Sequence, residues 1–354
     1  MTAIRVEAGA STYRVLVGSA LLRTLGSETA ALVRGPRCAL IADETTARLF
    51  GAEVIASLAA AGFNVHSITV PAGERAKSLA HVAAISDEMI AAGLDRSSFV
   101  VALGGGVVGD LGGFIAAIYH RGIPYVQVPT TLLAQVDSSV GGKTGVNTAA
   151  GKNLLGAVHQ PAVVVADVDV LNTLPVREFN QGFAEIIKHG IIADPSLFDL
   201  LENFDRLGLA ALVRRNVEIK AAVVAQDEHD RSGTRAVLNF GHTVGHAIER
   251  AGDYRRFLHG EAVSLGIVAA CEVSVRKAGF PENERQRVVA ALEKCQLPTK
   301  LPEDFARDAI LPAIAGDKKF EQGEVRFVVA SRLGSAHLAT DVTMRDIEGA
   351  ISTL

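Results

Sequence analysis

The chain has 354 residues, enough for two hydrophobic cores at roughly 100–200 residues per domain. Hydrophobic residues make up 49% and charged residues 21%, with a mean hydropathy of +0.27, which excludes a disordered chain. The 35 Lys and Arg against 39 Asp and Glu give a net charge of −4, so no general positive field exists to gather nucleic acid or an anionic membrane, and an anionic ligand must be held by local charges.

The opening run MTAIRVEAGASTYRVLVG alternates apolar and polar residues about a central turn and predicts a β-hairpin. It lacks the basic-then-apolar layout of a secretion signal, and Cys38, Cys271 and Cys295 show no CxxC spacing. A cytoplasmic protein in a reducing compartment is expected, with neither a disulfide framework nor a cysteine metal site. From Arg37 to Val170 the short apolar runs CALIAD, NVHSITV, SFVVAL, PYVQVP and AVVVAD alternate with helical patterns, which predicts βα repeats and a parallel sheet buried on both faces. Residues 99–119 are apolar enough to suggest a membrane span, but six glycines and Asp110 make strand, tight turn and helix the better reading. From Gly182 to about Leu297 Ala, Leu and Val recur with helical period, and the late EVRFVVASRLGSAHLAT predicts a small hairpin. The fold class is thus α/β plus all-α, with residues 1–176 as the α/β domain and 177–354 as the mainly helical one.

Several clusters carry chemistry. Gly104-Gly105-Gly106-Val107-Val108-Gly109 satisfies GxGxxG between a strand and a helix, where glycines admit a pyrophosphate to the helix N-terminus. The acid expected about 20 residues on is missing, since PYVQVP runs into Thr130-Thr131, but Asp43-Glu44 ends the earlier strand CALIAD. The alternative is a glycine turn that permits close helix–strand packing. The segment Asp137-Ser-Ser-Val-Gly-Gly-Lys143-Thr-Gly resembles a P-loop, yet that motif needs glycine where Asp137 stands. Lys143, with Lys152-Asn153, still suggests a nest for a phosphate or carboxylate, against the plain reading of an exposed turn with two surface lysines. In the helical half His242 and His246 lie four apart, His259 follows, and Glu185 and Lys188 share a helix face beside His189. A Glu/His/His set is a sound catalytic zinc shell, although spacing leaves open which two histidines bind and whether they merely cap helices.

Taken together, PAGERAKS (71–78), GGGVVGDLGGF, RGI (121–123), VPTTLLAQVDSSVGGKTGVN, GKNLLGAVHQP, GFAEIIKHG, NFGHTVGHAIE, LHGEAV and the late DKK resemble the 3-dehydroquinate synthase family over nearly the whole chain. The resemblance implies an N-terminal Rossmann-like parallel-sheet domain followed by a helical metal-binding domain. It also implies an NAD- and metal-dependent lyase acting on a small sugar phosphate, 3-deoxy-D-arabino-heptulosonate 7-phosphate, in the shikimate pathway, with no nucleic-acid or membrane partner and a homodimeric state. The expected chemistry is transient oxidation, phosphate elimination, re-reduction and intramolecular aldol closure. By resemblance, zinc or cobalt falls to Glu185, His242 and His259, with His246 directed at the substrate. NAD falls to Asp43, to Ala72, Gly73, Glu74, Arg75, Ala76 and Lys77, to Gly106, Val107, Val108, Gly109 and Asp110, and to Thr130 and Thr131, with Lys143 and Lys152 shared. The substrate falls to Arg121, Asp137, Lys143, Lys152, Asn153, Lys188, Lys220, Arg235, Asn239, His246 and one of Lys318 and Lys319. The chain departs from the family pattern twice: it is one residue longer between Lys220 and Arg235, around Asp230, and His120 stands where methionine is common. Another sugar-phosphate cyclase, or a metal-dependent oxidoreductase resembling glycerol dehydrogenase, are the competing expectations; only the latter would accumulate NADH.

Overall fold

A computed structural model describes residues 1–228, 233–315, 320–321 and 324–354 of the chain. Asp230, Lys318 and Lys319 lie outside the described residues. Two compact units emerge: Met1–Leu174 with Leu209–His229, and Pro175–Gly208 with Asp230–Leu354. The segment Leu209–His229 therefore groups with the first unit, whereas the sequence assigns it to the helical half at 177–354. The physical reason is that its helix, Leu209–Gln226, buries Leu212, Val213 and Val217 and packs on the first two strands.

The first unit is built on strands β1 (Thr2–Ala8), β2 (Ser11–Gly18), β3 (Arg37–Asp43), β4 (Asn64–Val70), β5 (Phe99–Gly104), β6 (Tyr125–Pro129), β7 (Lys143–Thr148), β8 (Gly151–Val158) and β9 (Val163–Asp167). Seven of them form one sheet in the order β1-β2-β9-β6-β5-β3-β4. The β1/β2 hairpin is antiparallel and every other pairing in this sheet is parallel. β5 and β6 are buried along their whole length, as mainly apolar runs are when both faces of the sheet are covered. On one face Ile41, Val100, Leu111, Ile115, Tyr125 and Val146 join in a single core, which places the Gly106–Ile118 helix and the separate antiparallel hairpin β7–β8 against the sheet.

Chain order reverses between β3 and β5: the sheet grows from β3 to β4 in one direction, and from β5 through β6 to β9 in the other. The carboxyl ends of such a pair diverge into a crevice, the usual ligand position in open α/β sheets.

The second unit is mainly helical. Its Gly182–Ile192 helix is buried at every residue, and the His242–Ala251 and His259–Ala278 helices pack closely together. The late hairpin pairs Phe327–Arg332 with Ser335–Ala339, as the alternating pattern predicts. Among the described residues no helix is long and apolar enough to cross a membrane; the 99–119 stretch is β5, a glycine turn and the Gly106–Ile118 helix.

Candidate functional site

In the first unit the predicted cofactor residues gather at the carboxyl ends of β3, β4, β5 and β6. Asp43 ends β3, and its Oδ1 accepts from the N–H groups of Thr45 and Thr46 at 2.9 and 3.0 Å, so it caps the following helix. Thr46 Oγ1 then donates to Leu103 O at 3.0 Å and ties the two ends of the crevice together. The acid one βα unit early is thus explained: β3 neighbours β5 just as β6 does. Thr130 and Thr131 follow β6, and Thr130 N–H donates to Gly104 O at 3.0 Å. The glycine turn also serves packing, because a Cβ on Gly109 would meet Gln127 Nε2 at 2.1 Å.

The loop carrying Ala72, Gly73, Glu74, Arg75, Ala76 and Lys77 follows β4. Lys77 is buried, and its ammonium lies against the Asp110 carboxylate and Asn153 Oδ1. Burial raises the pKa of Asp110, an effect that the Lys77 charge opposes. Asn153, on β8, adopts φ 56°, and its N–H donates to Asn147 Oδ1 at 3.0 Å. Lys143 pairs with Val158 at the open end of the hairpin and Lys152 adjoins the turn, about 13 Å further along at roughly 3.3 Å per residue.

Lys220, on the Leu209–Gln226 helix, is buried and meets Asp137 twice, at 2.8 Å to Oδ1 and 2.7 Å to the backbone oxygen. Arg121 stands on an exposed turn in which His120, Arg121 and Gly122 all take positive φ (48°, 69° and 121°). For His120 and Arg121 this is a strained conformation of order 1–2 kcal/mol each, held by the Gly122 N–H to Tyr119 O bond at 2.9 Å.

The second unit brings together Glu185, His242 and His259, whose ligand atoms lie within 4.8 Å of one another. Small residues make this possible. A Cβ on Gly266 would lie 2.0 Å from Gly241 O, and one on Gly245 3.1 Å from Ala262 O, so the two histidine-bearing helices approach closely. Glu185 is fully buried. Its Oε1 stands 3.4 Å from His242 Nε2 and 3.5 Å from His259 Nε2 without a hydrogen bond formed to either, and Lys188 pairs with its other oxygen. Both imidazoles are anchored through Nδ1: His242 faces Phe240 O at 3.2 Å, and His259 faces the buried Glu249 carboxylate at 3.3 Å. Both therefore turn Nε2 to the same point, the arrangement that fixes the tautomer of metal-binding histidines. A divalent ion fits this donor set, since it would satisfy the Glu185 oxygen that finds no hydrogen bond.

Burial alone would raise the Glu185 pKa, yet Lys188 and His242 hold it well below the usual carboxylate range. Burial disfavours charge on His259, but the Glu185 and Glu249 carboxylates outweigh it and push its pKa up to about 10. His246 faces His242 and His259 with ring centroids at 5.2 and 6.0 Å, and with Glu249 and His259 it forms an overlapping cluster. Arg235, buried, and Asn239 lie on the Thr234–Asn239 turn that leads into His242. Two residues escape a motif-based reading. Asn147 is hidden in VGGKTGVN, and Glu249 in HAIE reads as an ordinary helix surface; its only signal is the i, i+3 spacing from His246.

Residues 67–181 match the N-terminal family of 3-dehydroquinate synthases and residues 182–320 the C-terminal one. The chain is 47% identical to a 3-dehydroquinate synthase of Caulobacter vibrioides over 96% of this chain and 95% of that one. It is 45% identical to one from a Nostoc species, over 96% of both chains. Among solved structures it is similar to a 2-deoxy-scyllo-inosose synthase with carbaglucose-6-phosphate, NAD+ and Co2+, with TM-score 0.90 and 25% identity over 99% of each chain. It is also similar to the 2-epi-5-epi-valiolone synthase of Streptomyces hygroscopicus with NAD+ and Zn2+, with TM-score 0.88 and 32% identity over 99% of each chain. A probable glycerol dehydrogenase of Sinorhizobium meliloti, at TM-score 0.67 and 14% identity, shares the fold alone. With both halves of the family pattern present in order and such identity maintained along nearly the full length, the chain belongs to the 3-dehydroquinate synthase family.

Proposed function

We propose that this enzyme, a sugar-phosphate cyclase, converts 3-deoxy-D-arabino-heptulosonate 7-phosphate to 3-dehydroquinate and phosphate as an NAD- and metal-dependent carbon–oxygen lyase. The observation that carries the reading is the buried Glu185 with His242 and His259 turned onto one point, in a chain of this family. The NAD+ with Co2+ or Zn2+ in the two related cyclases supports the same cofactors here. When bound, NAD supplies a reversible hydride acceptor and the metal ion a Lewis acid for the substrate's hydroxyl oxygens.

The chain's own residues then bind and position. Glu185, His242 and His259 would hold the ion. Asp43, Gly106 through Asp110, Thr130 and Thr131, with the loop from Ala72 to Lys77, would hold the dinucleotide at the sheet's crevice. In the first unit Arg121, Lys143, Lys152, Asn153 and the Asp137–Lys220 pair, and in the second Lys188, Arg235, Asn239 and His246, would meet the phosphate, carboxylate and hydroxyls. Such cations act mainly by orientation and by stabilising developing negative charge. The free Cys38, Cys271 and Cys295 suit a reducing cytoplasm, and the proposed assembly is a homodimer.

The test is phosphate release from the heptulosonate phosphate with catalytic NAD, with and without EDTA, following NADH absorbance and identifying the product. Phosphate in many-fold excess over NAD, abolished by EDTA, with 3-dehydroquinate as product, is the expected result. Lys152→Ala should reduce turnover sharply while leaving the far-UV spectrum unchanged. Stoichiometric NADH build-up from a polyol without phosphate release would overturn the reading in favour of an oxidoreductase.

A further inference from the structure

The β7–β8 hairpin holds a side chain with no role in the scheme above. Asn147 is half-buried near the end of β7, at the irregularity where pairing passes from Val146↔Leu155 to Thr148↔Gly151. It bonds in three directions. Its backbone N–H donates to Lys77 O at 2.9 Å, its Nδ2 donates to Glu74 Oε1 at 2.8 Å, and its Oδ1 accepts from Asn153 N–H at 3.0 Å. The partners fix the amide's orientation, because a carboxylate only accepts and a backbone N–H only donates. Lys77, so held, places its ammonium on Asn153 Oδ1 and on Asp110.

We propose that Asn147 is a positioning residue for the reaction: its single amide fastens the 71–78 loop to the hairpin, so that Glu74, Lys77 and Asn153 are set in place together. The inference rests on the reading above, in which that loop holds NAD and Asn153 meets the substrate. The chemistry selects asparagine. One short planar group must offer a donor to a carboxylate at one end and an acceptor to an N–H at the other. Aspartate would set a second carboxylate against Glu74, and alanine would leave both neighbours unfilled. Asn153 sits at φ 56°, a left-handed conformation that asparagine adopts more readily than other side chains, and the bond from its N–H to Asn147 Oδ1 helps to hold it there.

The test uses Asn147→Ala and Asn147→Asp in the full chain, with NAD+ as the calorimetric probe, the sugar phosphate in steady-state assays, and the thermal midpoint alongside. Asn147→Ala should weaken NAD+ binding by about tenfold, as loss of a hydrogen bond to a charged acceptor does, and raise the sugar-phosphate KM in parallel with the midpoint close to wild type. In a Glu74→Ala background the same substitution should leave NAD+ affinity almost unchanged, a coupling that a merely structural role would not produce. Should the alanine variant fail to fold, Asn147→Asp keeps size and acceptor and should give the same loss. NAD+ binding by either folded variant equal to wild type, or simple additivity with Glu74→Ala, overturns the proposal. A wild-type chain that takes up no NAD+ would overturn the functional reading itself, and the proposal with it.

Discussion

Replacing Gly266 by alanine should impair metal capture while leaving the second unit folded. A Cβ there would lie 2.0 Å from Gly241 O and 2.7 Å from Gly245 N, backbone atoms that no rotamer change can move. An ordinary carbon–oxygen approach is about 3.3 Å, so the His259–Ala278 helix must retreat by about 1.3 Å. His242 directly follows Gly241 and His259 heads the retreating helix, so their common point opens by a distance of that order, whereas metal–ligand distances tolerate only about 0.2 Å. Zinc affinity, measured by competition with a chromophoric chelator, should fall by about 100-fold or more, equivalent to roughly 2.7 kcal/mol. Overpacking should cost about 1–3 kcal/mol of stability, visible as a drop of several degrees in Tm. Gly245→Ala provides the graded comparison. Its Cβ would stand 3.1 Å from Ala262 O, a few tenths of an ångström too close, and the zinc affinity should fall by less than about tenfold. Wild-type zinc affinity in Gly266→Ala would refute the argument that close helix approach sets the geometry of the cluster.

Other perturbations test other parts of the structure. Glu249→Gln removes the carboxylate behind His259 Nδ1 and should weaken zinc binding by about 10–100-fold with little change in secondary structure; unchanged affinity would remove Glu249 from the site. Lys220→Met removes the ammonium beside Asp137 and should destabilise the first unit by about 1–3 kcal/mol in urea unfolding, with partial recovery in Lys220→Met/Asp137→Asn; an unchanged midpoint would refute the pairing. Burial pushes the Cys38 and Cys295 thiols up to about 12 and raises that of Cys271 further, so almost no thiolate exists at pH 8. Iodoacetamide should therefore leave native protein unlabelled and active, and rapid labelling at Cys38 would contradict its burial.

Most of the sheet is legible in the sequence because β3, β5, β6 and β9 are short, mainly apolar runs, a pattern that suits strands covered on both faces. The β7–β8 hairpin is not, since GGKTGVN and GKNLLG carry too many glycines and polar residues to alternate; its strands are held by a core contact at Val146 that only tertiary structure supplies. The Leu209–Gln226 helix is legible as a helix, but periodicity identifies an apolar face and never its partner, so its place on β1 and β2 was hidden. The same limit applies at the site. Residue type and spacing point to Glu185 and the three histidines, yet only the tertiary structure brings the Nε2 atoms of His242 and His259 to Glu185 Oε1, and Glu249 and Asn147 make bonds that no spacing rule encodes.

The return of Leu209–Gln226 to the first unit has a consequence for synthesis. The chain leaves that unit after Leu174 and comes back at Leu209, so when the last sheet strand has emerged from a ribosome, the face of β1 and β2 that this helix covers is still bare. Completion of the first unit must wait for some sixty further residues, by which time Pro175–Gly208 of the other unit is already outside. The nascent protein cannot mature strictly one unit after the other, and a fragment ending near residue 176 would present an unclosed apolar sheet face and lack Lys220.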